Sequence, residues 1–304
     1  MKAKTIKSVI KKKVNDWLDS IDDETVRDIA EANTIVTGGC IVSMLLREQV
    51  NDFDIYFRTR ESVVAIANYY VGKFLENPPS RFKDSDEKVK INVESDENGR
   101  VKIVIKSAGI AGETGSSGYR YFEADPDPDA VEATEYVDAA IDVLEDLEED
   151  KPKYRPVFLT SNAITLSDKV QLIIRFYGEP DDIHSNYDFV HCTNYWYDGK
   201  LVLRKDALEA LLARELRYVG SKYPLCSIIR TRKFFRRDWS INAGQYLKMA
   251  MQLNDLDLSN LDTLEDQLIG VDVMYFMEVI AKLRARDSKK VDSAYLLEII
   301  DRIF

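Results

Sequence analysis

The chain has 304 residues, with 42 Lys plus Arg against 53 Asp plus Glu, a formal net charge of −11 and a pI near 4.9. Apolar residues make up 45% and aromatics 10%, which excludes disorder throughout and suits one large or two modest domains. The acid is concentrated: residues 121–150 hold thirteen Asp or Glu and no Lys or Arg, while the other 274 sum to +2, so the pI does not exclude a polyanionic partner.

From the N-terminus, Ile6, Val9, Ile10, Val14, Trp17, Leu18 and Ile21 recur at helical spacing, and Val26, Ile29 and Ala30 continue it after Asp-Asp-Glu-Thr. One or two amphipathic helices are expected. A short strand over 33–37 leads into Gly38-Gly39, followed by a helix over 40–48, a strand over 53–58 and a helix over 61–75 that ends at Asn-Pro-Pro-Ser. Strands at 88–93 and 100–106, joined through Asn-Gly, predict a hairpin. The Gly-rich and acidic stretch at about 113–154 reads as an insertion. Strands then resume at 157–159, 163–166, 170–176 and 189–197. Beyond Arg204 the pattern is helical, over 206–219, 225–235, 242–253, 261–286 and 293–303. The expected class is α+β: a mixed-sheet head over 1–200 with an acidic insertion, followed by an all-helical domain over 201–304.

No run reaches the roughly 18 apolar residues of a membrane span, and the Lys-rich N-terminus lacks a signal-peptide cleavage site. A cytoplasmic location without a membrane partner is the expectation. Cys40, Cys192 and Cys226 lie far apart in sequence, with neither disulfide nor zinc-site spacing.

The chemistry is concentrated between Thr34 and Phe57. A strand feeding Gly38-Gly39 and a helix presents backbone N–H groups and a positive dipole end to a phosphate, and glycine removes the Cβ that would block close approach. Asp52 and Asp54, two apart on the next strand, point to one face. A lone Asp-x-Asp marks no more than a charged strand end. Here it follows strand, Gly-Gly and helix within 25 residues and sits in an apolar strand, where two acids repel unless a hard cation neutralises them.

Gly38-Gly39, a helix with Leu45-Leu46 near its end, and Asn51-Asp-Phe-Asp-Ile55 resemble the DNA polymerase β-like nucleotidyltransferase superfamily. The likeness is to its tRNA CCA-adding and bacterial poly(A) polymerase branch in particular, and to nucleotidyltransferase-like proteins of large bacteriophages. Residues 186–199 look like a diverged form of the branch's sugar- and triphosphate-contacting Arg-Arg-Asp-x-Thr-Ile-Asn-Ala, with Asp188 and Asn194 near its Asp and Asn. Residues 216–235 look like its base-reading helical region. The resemblance implies a nucleotidyltransferase fold and two-metal transfer of NMP from an NTP to a hydroxyl, most readily an RNA 3′ end, with Mg²⁺ or alternatively Mn²⁺ as cofactor. It implies Asp52, Asp54 and Asp188 as catalytic metal ligands, and Gly38, Gly39, Cys40 and Asn194 as nucleotide contacts. Gln171 is the alternative occupant of the third-acid position, which leaves two acids for metal.

The sequence also departs from the branch. Cys40 stands where members often have Ser, Val42-Ser43 replaces Arg-Asp, and Lys222-Tyr-Pro-Leu-Cys226 replaces the base-reading Glu-Asp-x-x-Arg, so faithful CCA addition is not expected. A fold-retaining binding protein, and transfer to a protein or small-molecule hydroxyl, stand as rivals. Residues 200–240 carry eleven Lys or Arg against four acids. Within them Arg230, Lys233 and Arg237 form one helical stripe suited to triphosphate or an RNA backbone. His184 and His191 are the only histidines, and His191 reads as a core or pocket residue. Asp168 reads as a turn residue.

Overall fold

A computed structural model describes residues 1–76, 90–95, 101–106, 152–159, 162–260, 263, 264 and 267. The acidic insertion and the helices expected over 261–286 and 293–303 lie wholly or largely outside them. The described residues fall into two compact units: residues up to 106 with 152–184 and 192–204, and residues 185–191 with those from 205 onward.

The first unit is built on a mixed seven-stranded sheet. Its N-terminal periodicity resolves into two helices, α1 (Ala3–Leu18) and α2 (Glu24–Asn33), separated where the Asp23 side chain accepts from Val26 N at 3.1 Å. Then follow β1 (Thr34–Thr37), α3 (Gly39–Leu46), β2 (Phe53–Phe57) and α4 (Arg60–Glu76). A hairpin of β3 (Lys90–Ser95) and β4 (Val101–Lys106) forms a separate ladder. The chain continues through β5 (Pro156–Leu159), β6 (Ala163–Leu166), β7 (Val170–Tyr177), a short helix α5 (Pro180–His184), β8 (Tyr195–Tyr197) and β9 (Lys200–Val202). Strand order is β5-β6-β7-β2-β1-β8-β9, with β2 and β7 parallel and every other pair antiparallel.

Strand alternation divides this sheet chemically. Val36, Phe53, Ile55, Phe57, Ile164, Leu166, Val170, Leu172 and Ile174 belong to one buried core with Ile6, Ile10, Val14 and Trp17 of α1 and Ile66, Tyr70 and Phe74 of α4. Trp17 Nε1 donates to Tyr70 Oη at 2.8 Å, so this fully buried indole N–H is paired. The residues between, Asp54 on β2 and Gln171 and Ile173 on β7, are half-buried.

The second unit contains α6 (Lys205–Ala213), β10 (Glu215–Leu216), α7 (Pro224–Phe235), β11 (Ser240–Ile241) and α8 (Ala243–Asn254). Pro224 begins α7, where its missing N–H costs no helical hydrogen bond. The helix expected over 206–219 stops at Ala213, because Arg214 takes φ +47° and the next two residues pair in parallel with Ser240 and Ile241.

The strand expected over 189–197 is corrected. Phe189 makes a single bridge to Tyr218, Val190–Cys192 form a 3₁₀ turn, and only Tyr195–Tyr197 pair with β1. An apolar aromatic run satisfies burial in either conformation, so periodicity did not separate them. Asp168 and Lys169 take φ +61° and +59°, which makes Asp168 the turn residue it was expected to be.

Candidate active site

One end of the first unit's sheet carries a polar row. Thr165 pairs with Gln171, Gln171 with Asp54, and Thr37 with Tyr195. Val36 opposite Ile55 is the last antiparallel pair before Thr37 and Asp54. Paired residues on adjacent strands share a face about 4.8 Å apart. Thr165, Gln171, Asp54, Thr37 and Tyr195 therefore cross five strands on the side away from the core.

Gly38 and Gly39 lie at the end of β1, beside this row. Gly38 adopts φ 92°, ψ −146°, a conformation open to glycine, and caps α3 without a side-chain hydrogen bond. Gly39 opens the helix, and a Cβ built on it would meet nothing within 4 Å. The first N–H groups of an α-helix have no intrahelical acceptor, so this eight-residue helix presents donors and partial positive charge at its start.

Cys40 reports where the two acids lie. Its thiol is pushed well above the usual range, first by burial, then by the negative charge of Asp54 and of Asp52. Both carboxylates are thus within electrostatic reach of the first turn of α3. The Cys40 side chain is only 2% exposed and its Sγ lies 3.9 Å from Thr37 O, so it acts as a neutral packing group.

A network that the sequence did not suggest lies under the Gly38 turn. Thr37 Oγ1 donates to Asn194 O at 2.9 Å and lies 2.9 Å from His184 Nε2. One hydroxyl has one proton, so His184 supplies the other: Nε2–H donates to Thr37. Burial, with Arg204 nearby, pulls the His184 pKa down to about 4 and keeps the ring neutral. Asn194 is fully buried, and its Oδ1 accepts from Arg204 N at 2.8 Å. The Arg204 guanidinium is ion-paired with Asp181. Asn194, just before β8, is therefore tied to Arg204, two residues past β9, and its side chain oxygen acts as a structural strut. No local spacing links Thr37 to a histidine 147 residues away.

The remaining expected site residues belong to the second unit. Asp188 is 9% exposed and accepts from Ser227 Oγ and Arg230 Nη1, each at 2.6 Å, so both of its oxygens are engaged. Arg230 is thereby committed to an ion pair, while Lys233 and Arg237 are half-buried and Arg232 and Arg236 exposed. His191 is fully buried among Phe189, Phe234 and Trp239, with ring centroids 6.1, 4.9 and 4.3 Å away. Neither of its ring nitrogens has a hydrogen-bond partner among the described residues. Burial holds its pKa at about 3.

No group of three or more His, Cys, Asp or Glu side chains is placed to share a metal ion among the described residues. Asp54, at the sheet end beside the Gly38-Gly39 helix start, and Asp52, two residues earlier, fit one hard divalent cation, which takes one or two carboxylates and fills its other positions with water and phosphate oxygen. Also among the described residues, no helix is long and apolar enough to cross a membrane.

Fold and site together define an α+β protein whose mixed sheet carries a carboxylate pair beside a Gly-Gly helix start. Residues 8–214 match the model of the Gabija anti-defense 2 family, and the chain belongs to that family. The Gabija anti-defense 2 protein of Bacillus phage SPbetaL7 is 22% identical over 140 residues, which cover 44% of this chain and 33% of that relative. The match thus spans a third of the relative's length. Among solved structures, the Thermotoga maritima CCA-adding enzyme complexed with tRNA matches with a TM-score of 0.38 and 13% identity, over 84% of this chain and 49% of that one. A tRNA nucleotidyltransferase complexed with a primer tRNA and an incoming ATP analog matches at 0.34 and 12%, over 75% and 50%.

Proposed function

We propose that this chain is a metal-dependent nucleotidyltransferase of an anti-defense family, transferring NMP from an NTP to a hydroxyl, with an RNA 3′ end as the leading acceptor. The observation that carries this reading is the β1/β2 register, which sets Asp54, with Asp52 two residues earlier, at the sheet end where β1 leads into the Gly38-Gly39 helix start. In the reaction the acceptor oxygen bonds to the α-phosphorus and the bond to the β-phosphate oxygen breaks, releasing pyrophosphate.

Asp52 and Asp54 hold the divalent ion. Once bound, that ion would offset the charge of the triphosphate. Backbone N–H groups of Gly39 and Cys40 receive phosphate oxygens, and Gly38 provides the turn that exposes them. Thr37 and His184 hold that turn in place. Asp188 anchors Arg230, and Lys233, Arg237, Arg232 and Arg236 supply positive charge for an RNA backbone.

The test is incubation with each labelled NTP, Mg²⁺ or Mn²⁺, and mixed RNA. Wild type extends RNA 3′ ends, and Asp52→Asn with Asp54→Asn does not; equal turnover by the double variant would refute the assignment. Label on protein would move the acceptor from RNA to a protein hydroxyl. A non-enzymatic reading is favoured by one observation, the commitment of Asp188 to Ser227 and Arg230. Plaque counts on Gabija-carrying bacteria separate the two: a binding protein protects phage equally well with both aspartates changed to asparagine.

A further inference from the structure

We propose that the site takes a single divalent cation per chain, and that Gln171 is the residue that limits it to one. The inference rests on the reading of Asp52 and Asp54 as metal ligands and concerns what surrounds them. In the parallel register of β2 and β7, Asp54 stands beside Gln171, and Gln171 beside Thr165 on β6. On the other side the row continues through Thr37 to Tyr195. Across five strands, Asp54 is thus the one carboxylate of the row, flanked on both sides by neutral groups, with Asp52 preceding the strand.

A pair of divalent ions about 3.5–4 Å apart needs anionic ligands on both sides of the shared carboxylates. An ion bound to the triphosphate draws such ligands from phosphate oxygen. A second ion, on the acceptor side, depends on the protein for charge, and the register neighbour of Asp54 on β7 is an amide. An amide oxygen offers a dipole without net charge, and Mg²⁺, which loses its water reluctantly, discriminates strongly in favour of carboxylate. Gln171 is half-buried on the same face as Asp54, and glutamate is its near-isostere. One substitution therefore changes charge while preserving shape.

The chemical consequence concerns the acceptor. With one ion committed to phosphate, an acceptor hydroxyl is not ionised by an ion of its own, so this chain favours hydroxyls already acidified by their surroundings. Gln171→Glu relaxes that demand.

The test is Mn²⁺ titration of the full chain, followed by electron paramagnetic resonance and equilibrium dialysis. Wild type binds one Mn²⁺ with an uncoupled six-line spectrum. Gln171→Glu binds two, with a spin-coupled spectrum, and Asp54→Asn binds none. Two ions in wild type overturn the inference and leave the transferase reading standing. One ion in a folded Gln171→Glu overturns the role of Gln171. Wild type that binds no more Mn²⁺ than Asp54→Asn overturns both the inference and the metal assignment beneath it.

Discussion

His184 Nε2 donates to Thr37 Oγ1 across 2.9 Å, joining the last residue of α5 to the residue that precedes the Gly38 turn. Burial disfavours the charged ring and holds the His184 pKa near 4 against an ordinary value of 6.5. Between those values the unfolded chain binds a proton that the folded chain does not. Stability contributed by His184 is therefore complete above pH 6.5 and falls as the pH drops toward 4, by about 1.4 kcal/mol per pH unit. Urea unfolding at pH 7.0 and 5.0 should show a decrease, and His184→Gln should reduce its slope.

His191 makes the same kind of contribution in the second unit, with a folded pKa of about 3, but its two ring nitrogens have no hydrogen-bond partner among the described residues. An unsatisfied buried polar group costs roughly 1–3 kcal/mol. His191→Phe keeps an aromatic ring between Phe234 and Trp239 and removes that cost. We expect a gain of about 1 kcal/mol at pH 7 and a flatter pH dependence of unfolding; a loss of stability would show that the imidazole is satisfied by a group outside the described residues.

The two glycines should separate fold from chemistry. Gly38 needs its positive φ, so Gly38→Ala should destabilise by about 1–2 kcal/mol. Gly39 is helical with open space around its Cβ position, so Gly39→Ala should leave stability unchanged or raise it by up to about 1 kcal/mol. If that open space receives phosphate, Gly39→Ala nevertheless raises the KM for NTP. Thermal melts paired with nucleotide titration decide it.

Asp188 accepts two hydrogen bonds in a nearly buried position. Asp188→Asn should cost about 2 kcal/mol, because charge-assisted bonds contribute about 1.5–3 kcal/mol and the Arg230 guanidinium loses its counterion. If Asp188 is an anchor, Mn²⁺ affinity at Asp52 and Asp54 is unaltered. A tenfold fall in that affinity with stability intact would make it a metal ligand.

Sequence alone determined the cassette from Thr34 to Phe57. Strand, Gly-Gly, helix and Asp-Phe-Asp are written in local terms, as backbone freedom, alternation and helical period. The strand at Ala163–Leu166 was legible for the same reason. The break at Val190–Cys192 was not, and neither was the two-residue ladder of Glu215–Leu216 with Ser240–Ile241, since each depends on partners distant in the chain.

The decisive instance is the choice between Asp188 and Gln171. Gln171 lies inside one expected strand and Asp188 opens the next, and the sequence left them level. Register between β2 and β7, which pairs positions 117 residues apart, puts Gln171 beside Asp54, while an ion pair with α7 claims Asp188. Local sequence fixes which side chains share a face, because a strand's alternation is a property of its own backbone. Which strand becomes the neighbour is set by burial of the whole core, and so only the tertiary structure decided what stands next to the carboxylates.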